Sequence, residues 1–181
     1  MTWTTFLHKG WLCVLAVALA ACADDVVEGT TRVRVDHHPG EPKVERAKHT
    51  QVYRDGRWLH HGPAEYFDKQ GDVEGFGTYA DGLEQGHWVL HTEDGMRSEG
   101  EFRAGRREGV WTWYHPTGKV GLTGTYVDDA RHGEWTTHDP SGRIQERATW
   151  KHGVRHGSML IYDTQGHVLE TVRYVEGVRA E

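Results

Sequence analysis

The segment Gly109–His132 reads GVWTWYHPTGKVGLTGTYVDDARH and contains the features that recur along the chain. It opens with Gly-x-Trp, turns around Gly118 and continues into a strand-like run that ends at Tyr126. A glycine opens the same pattern every 23 or 24 residues, at Gly62, Gly86, Gly109, Gly133 and Gly157. Self-similarity at such a fixed period is typical of a repeat array. We therefore expect five repeats, preceded by a half repeat around Trp58.

The internal spacing of the repeats is as regular as their period. A turn glycine follows the opening glycine by nine residues, at Gly71, Gly95, Gly118, Gly142 and Gly166. An aromatic residue then closes each unit, at Tyr79, Phe102, Tyr126, Trp150 and Tyr174. Three residues later comes another glycine, except that the third unit has Asp129, a residue type that tolerates the left-handed conformation. This grammar predicts two turns per repeat.

Alternation between the turns predicts β-strands. One face of the third repeat reads Val120, Leu122, Gly124 and Tyr126, while the intervening residues are mostly polar, which is a period of two. Glycines within every unit argue against helices, since each costs about 1 kcal/mol in a helix. We expect stacked hairpins that align Trp88, Trp111, Trp135 and Met159 in one column and Gly77, Gly100, Gly124 and Ala148 in a column of small residues. The predicted fold class is all-β, an elongated single-layer antiparallel sheet of stacked β-hairpin repeats.

These units resemble MORN repeats (membrane occupation and recognition nexus), and most closely the bacterial variant with Gly-x-Trp, a central turn glycine and a closing aromatic. The resemblance extends from Tyr53 to about Gly177. Ala64 and Met159 depart from it at the Trp position, in terminal units where atypical capping residues are expected. The resemblance implies a MORN-like solenoid that acts as a scaffold or interaction surface. Some bacterial members of the family are labelled as antitoxin components.

The N-terminus is typical of an exported lipoprotein. Trp11–Ala21 is apolar, too short for a membrane-spanning helix, which needs about 20 residues, but of the length found in signal peptides. Leu19-Ala20-Ala21-Cys22 resembles a bacterial lipobox, in which the cysteine receives lipid. We predict a signal peptide at residues 1–21 and acylation, with palmitate among the acyl chains, at Cys22. An ordinary secretory signal with an incidental cysteine is the alternative.

This interpretation sets the expected organisation and location. The lipidated N-terminus would continue as a flexible tether over residues 22–50, because that stretch lacks apolar periodicity, although Arg32–Val35 has a weak strand pattern. The repeat domain would occupy residues 51–181. Ala23 after the cysteine favours the outer membrane. Removal of residues 1–21 takes away Cys13, so the repeat domain would have no disulfide and no cysteine nucleophile.

The chemistry-bearing residues favour a non-catalytic protein. The chain has none of the common hydrolase, phosphate-binding or metalloprotease motifs, and we predict no cofactor. Its 14 histidines raise the question of metal, but like positions in successive hairpins should lie about 10 Å apart, so His61, His132 and His156 cannot share one ion. Export and a net charge of −6 disfavour nucleic acid.

Two functional classes remain open on this basis. The first is a protein-interaction scaffold for an unknown partner, including an antitoxin-like or immunity-like form that neutralises its partner. The second is a cell-envelope glycan-binding module, although outward aromatics such as Phe76 are few. A passive spacer is the simplest alternative. Because histidines titrate near pH 6.5 and outnumber the net charge, we also expect binding to charged partners to depend on pH.

Overall fold

The computed structural model describes residues 26–92 and 94–180, which form one sheet. Thirteen antiparallel strands follow each other in sequence order, and each strand pairs with its neighbours in the sequence. The described residues contain no helix, and the predicted fold class is confirmed. The signal peptide and Cys22 lie outside the described residues. The strands are β1 (Thr31–His38), β2 (Glu41–Arg54), β3 (Arg57–Phe67), β4 (Val73–Ala80), β5 (Leu83–His91), β6 (Arg97–Arg103), β7 (Arg106–Tyr114), β8 (Val120–Val127), β9 (Ala130–His138), β10 (Ile144–Lys151), β11 (Val154–Tyr162), β12 (Val168–Val175) and β13 (Val178–Ala180).

The sheet begins earlier than the sequence pattern predicts. Residues 31–54 form the hairpin β1–β2, so the flexible tether expected over residues 22–50 is wrong from Thr31 onward. Ala47, His49 and Val52 of β2 are buried, because β3 pairs along β2. The first hairpin of the sheet packs against a neighbour on one side only, so it does not need the residue pattern that the repeats share. We had placed the domain boundary at residue 51 by that pattern.

One end of the hairpins is closed by two-residue turns in which both residues have positive φ. Asp81 and Gly82 have φ of 50° and 88°, as expected for the type I′ turn that matches strand twist. Asp128 and Asp129, at 49° and 68°, form the equivalent turn two repeats further along the sheet. Asp129 thus adopts the left-handed conformation that its position predicts.

The other end has longer turns that are stabilised by their first residue. The five turn glycines lie here, all with φ between 80° and 89°. In the fourth repeat, the Asp139 carboxylate accepts hydrogen bonds from the backbone N–H groups of Ser141 (2.8 Å) and Arg143 (2.9 Å). The Ser141 hydroxyl donates to it as well, and these hydrogen bonds hold the pKa of Asp139 well below its usual range. Asp68 and Asp163 form the same backbone bonds in the first and fifth repeats.

The opening glycines lie inside strands and mark a regular bulge. Gly133, with φ of 72°, is the fourth residue of β9. Between the pairs Thr123–Thr136 and Thr125–His132, β9 has three residues where β8 has only Gly124. Such bulges bend a strand and re-aim its side chains. Here the bulge turns the Trp135 ring back over the preceding strand.

Candidate functional site: the aromatic face

The tryptophan column forms the buried core of a sheet that has no second layer within the described residues. Trp88, Trp111 and Trp135 are 3%, 2% and 2% exposed. The closing aromatics lie between them in edge-to-face contact: Tyr126, for example, has its ring centre 5.0 Å from that of Trp135. The face that contains these residues is called the aromatic face below. Its rings therefore bury one another, without help from an opposing sheet.

Glycine in the preceding strand makes this packing feasible. A Cβ built at Gly124 would lie 2.2 Å from the ring of Trp135, and the same is true of Gly77 against Trp88. The indole N–H of Trp135 donates to the carbonyl of Thr125 at 3.2 Å, so the polar edge of the ring is satisfied. Trp88 and Trp111 repeat this bond at 3.1 Å, to Thr78 and Glu101 respectively. The predicted complementarity of the two columns is thus a direct ring-on-backbone contact.

The column of tryptophans ends where a larger residue replaces the glycine of the neighbouring small-residue column. In the last repeat Met159 replaces Trp, and its partner is Ala148 instead of glycine, both buried. In the first repeat Ala64 occupies the Trp position, 2% exposed. Large side chains thus face glycine and smaller side chains face residues with a Cβ, which keeps the packed volume nearly constant.

The closing aromatics are the accessible part of this face. Tyr126 is buried at 5% exposure, while Tyr79, Phe102, Trp150 and Tyr174 remain half-buried. Trp113, which the sequence analysis did not assign to the core, packs against Trp111 and Trp135 with ring centres 5.8 and 5.7 Å away. It lies two residues beyond Trp111, so strand alternation could have identified it.

Arginines cover several of these rings, and the sequence analysis missed them. They occupy one repeat position, two residues before the opening glycine, and we call Arg107, Arg131 and Arg155 the arginine column. The Arg107 guanidinium carbon is 4.1 Å from the centre of the Tyr126 ring, a cation–π distance. It also pairs with the Asp129 carboxylate at 2.5 Å. The fixed spacing of these arginines was the available signal.

One part of the aromatic face is an open groove of about 710 Å³ over β4, β5 and β6. Its floor includes Trp88 and Leu90, and its walls include Tyr79, Phe102 and two carboxylates, Glu74 and Glu84. The Tyr66 and Tyr79 hydroxyl groups hydrogen-bond to each other at 3.0 Å. This groove was not predicted, because the repeat pattern describes what the units share, whereas the groove results from residues in which one unit differs.

The opposite face is polar and partly charged. His87 lies between Glu99 and Glu101, with nitrogen–oxygen distances of 3.6 and 3.5 Å. The exposed apolar residues of this opposite face include Phe76 and Val110, which are 43% and 62% exposed and are not neighbours in one column. Arg97 stacks on Tyr114, which lies on this side of the sheet. This face is the natural comparison for any test of the aromatic face.

Histidines cluster at the start of the sheet. His49 is 4% exposed, and its ring stacks on that of His60 at 4.2 Å. Burial, reinforced by the nearby His60, lowers the pKa of His49, although Asp36 acts in the opposite direction. Within residues 26–92 and 94–180, no three His, Cys, Asp or Glu side chains are placed to hold a metal ion. His61, from the column considered for metal, instead contacts Asp81 at 3.1 Å.

Comparison with protein families identifies the central units. The family model of the MORN repeat variant matches residues 107–128 and 131–152, so the third and fourth repeats are MORN repeats, and the match supports a MORN-repeat protein. Repeats of this kind are typically non-catalytic interaction modules. No curated protein matches the chain significantly. In the part of the chain that the structure describes, no helix is long and apolar enough to cross a membrane.

Proposed function

We propose that this MORN-repeat chain is a lipid-anchored protein of the bacterial cell envelope, whose repeats act as a non-catalytic scaffold that binds another protein through the aromatic face. The anchor rests on the sequence Leu19–Cys22, and the location, with a preference for the outer membrane, follows from it.

The uncovered aromatic face is the observation that carries the binding role. Half-buried rings such as Phe102 and Trp113 line one side of an open sheet, where a two-layer protein would bury them completely. A row of partly exposed apolar side chains along one face is a candidate interaction surface. An antitoxin-like role is a special case of this proposal, in which the partner is a toxin and binding inhibits it.

Glycan binding is the alternative class, and the arginine column weighs against it. Sugars stack on the open faces of aromatic rings, but Arg131 lies over the rings of both Trp135 and Trp150, at 4.3 and 4.8 Å. Arg155 lies between Trp150 and Tyr174 in the same way. Among the described residues, no arginine lies over Tyr79 or Phe102 beside the groove, and Trp113 also has none.

Site-specific photocrosslinking in intact cells tests the binding role. A crosslinker at Ser98, which lines the groove on the aromatic face, should yield a discrete protein adduct. The control position is Val110, on the opposite face and 62% exposed, where no adduct is expected. Equal crosslinking from both faces, or none from Ser98, would reject the scaffold proposal. A glycan array probed with the same protein would reveal the alternative.

Cell fractionation tests the anchor independently. Cys22→Ser should move the protein from the membrane fraction to the soluble fraction and abolish labelling by a palmitate analogue. Cys13→Ser is the matched control and should change neither. Retention of label in the Cys22→Ser protein would contradict lipidation at this cysteine.

A further inference from the structure

Glu84 occupies the position that arginine fills in the next three repeats. It lies two residues before the opening glycine Gly86, as Arg107, Arg131 and Arg155 do before theirs. Strand pairing shows the same equivalence. Arg107 pairs with Phe102, Arg131 with Tyr126 and Arg155 with Trp150, while Glu84 pairs with Tyr79. The arginine column thus has a carboxylate at one place.

The rings on either side of this place are retained. Phe102 pairs with Gly86, as Tyr126 pairs with Gly109 beside Arg107. Glu84 therefore lies between Tyr79 and Phe102, where an arginine would cover one or both rings. Both of these closing aromatics border the open groove.

Small side chains explain why the groove is open here. Leu90 holds the position that Trp113 holds in the next repeat, and it pairs with Gly75 and Ser98. Trp113 also pairs with Ser98, but its second partner is Leu122 instead of a glycine, so larger side chains fill the same place in that unit. The groove above Leu90 is therefore open to solvent.

The groove is lined by two carboxylates that form no ion pair with the described residues. Glu74 and Glu84 both line it, and the ion pairs nearby, Arg54–Asp81 and His87–Glu101, involve neither of them. In the fourth repeat, by contrast, Glu146 pairs with the chain's own Arg155 at 3.2 Å, beside the Trp150 ring. A ring, a carboxylate and a guanidinium thus come together at Trp150, whereas the groove has rings and carboxylates with no arginine among its lining residues.

We propose that the groove over β4–β6 binds an arginine side chain from an exposed segment of a protein partner, between Tyr79 and Phe102 and facing Glu84. This inference rests on the proposed scaffold function and names the chemistry of its partner. Arginine fits better than lysine, because its planar guanidinium stacks on rings while its N–H groups bind a carboxylate.

Peptide titration tests the inference directly. The probes are three eight-residue Gly/Ser peptides with a central arginine, lysine or citrulline, the last being a neutral isostere of arginine. Binding to the purified full chain is followed by NMR through the indole N–H signal of Trp88, assigned by its loss in Trp88→Phe. The arginine peptide should bind about ten-fold more tightly than the citrulline peptide, as expected for a partly desolvated cation–π contact with charge complementarity. Equal binding of these two peptides would overturn the inference.

Variants of Glu84 test whether this carboxylate binds the arginine peptide. Glu84→Arg provides the chain with its own guanidinium and should abolish arginine-peptide binding. Glu84→Gln keeps the shape and should weaken that binding about five-fold or more, which carries the test if Glu84→Arg does not fold. The matched control is Glu101→Gln, which removes the same charge from the opposite face and should leave binding unchanged. Wild-type binding by Glu84→Arg, or equal losses in the two Gln variants, would refute the proposed site.

The outcome is separable from that of the scaffold proposal. If Ser98 gives an adduct in cells but no peptide preference for arginine is found, the arginine site is wrong and the scaffold stands. If the arginine peptide binds but no adduct forms, the groove is a cation site without the proposed partner.

Discussion

Substitution of Gly124 by alanine should destabilise the sheet through a clash with Trp135. The added Cβ would lie 2.2 Å from the ring, while ordinary carbon contacts are about 3.5 Å or longer. The ring must therefore move by about 1 Å, which strains its N–H bond to Thr125. Overpacking of this kind costs about 1–3 kcal/mol and loss of the bond about 1 kcal/mol. The alanine reduces the entropy of the unfolded chain, which offsets about 0.4–1 kcal/mol. A net loss of about 1–4 kcal/mol remains.

The same chain suggests the compensating substitution. Because Ala148 faces Met159 in the last repeat, Trp135→Met should relieve the clash of Gly124→Ala. We expect the double variant to be more stable than the sum of the single effects predicts, by about 1–3 kcal/mol. Urea unfolding of the wild type, the two single variants and the double variant, followed by circular dichroism, measures this coupling. Ala148→Gly is the control that opens space without a clash. Strict additivity of the two substitutions would refute the ring-on-glycine explanation.

Three further predictions concern single side chains. Trp111→Phe removes the N–H bond to the Glu101 carbonyl and part of the buried ring, so urea unfolding should show a loss of about 1–3 kcal/mol; no measurable change would contradict the role of that bond. Because hydrogen bonds depress the pKa of Asp139 in the folded protein, its stabilising effect should be present above the unfolded pKa near 3.9 and be lost at lower pH. The difference in urea midpoint between wild type and Asp139→Ala should therefore narrow from about pH 5 to about pH 2. Burial lowers the pKa of His49, so the stability that its neutral form contributes should be fully present above about pH 6.5 and be lost at lower pH. The urea midpoint of His49→Gln should therefore depend less on pH below about pH 6.5 than that of the wild type. An unchanged dependence would assign the effect to other groups.

Local residue patterns were sufficient to predict the architecture. Glycines such as Gly118 and Gly142 revealed the turns, because few other residues adopt positive φ without strain. The alternation Val120–Tyr126 revealed the strands, since successive side chains point to opposite faces. The pairing of large and small columns followed once the strands were aligned in register.

The features missed by sequence reasoning depend on differences between units or on edges. Hairpin β1–β2 lacks the repeat pattern, because the first hairpin of the sheet packs against another hairpin on one side only. The bulge at Gly133 was not predicted, since it requires a count of residues on both paired strands. The groove arises because Leu90 and Glu84 depart from the residues of the next unit, which a consensus necessarily averages away. Residues in register with an established column, such as Trp113 and Arg107, could have been found.

The contact between each tryptophan and the glycine before it also constrains how such a chain can grow. Trp135 lies on Gly124, which belongs to the previous repeat, so compatibility is decided across the border between units. Duplication of a whole central repeat would preserve every such contact and should lengthen the sheet freely. A tryptophan-bearing unit placed after the fourth repeat would meet the methyl group of Ala148 instead of open backbone. The order of units in this array is therefore directional, because a unit with Gly124 accepts Trp135 after it, whereas a unit with Ala148 accepts Met159.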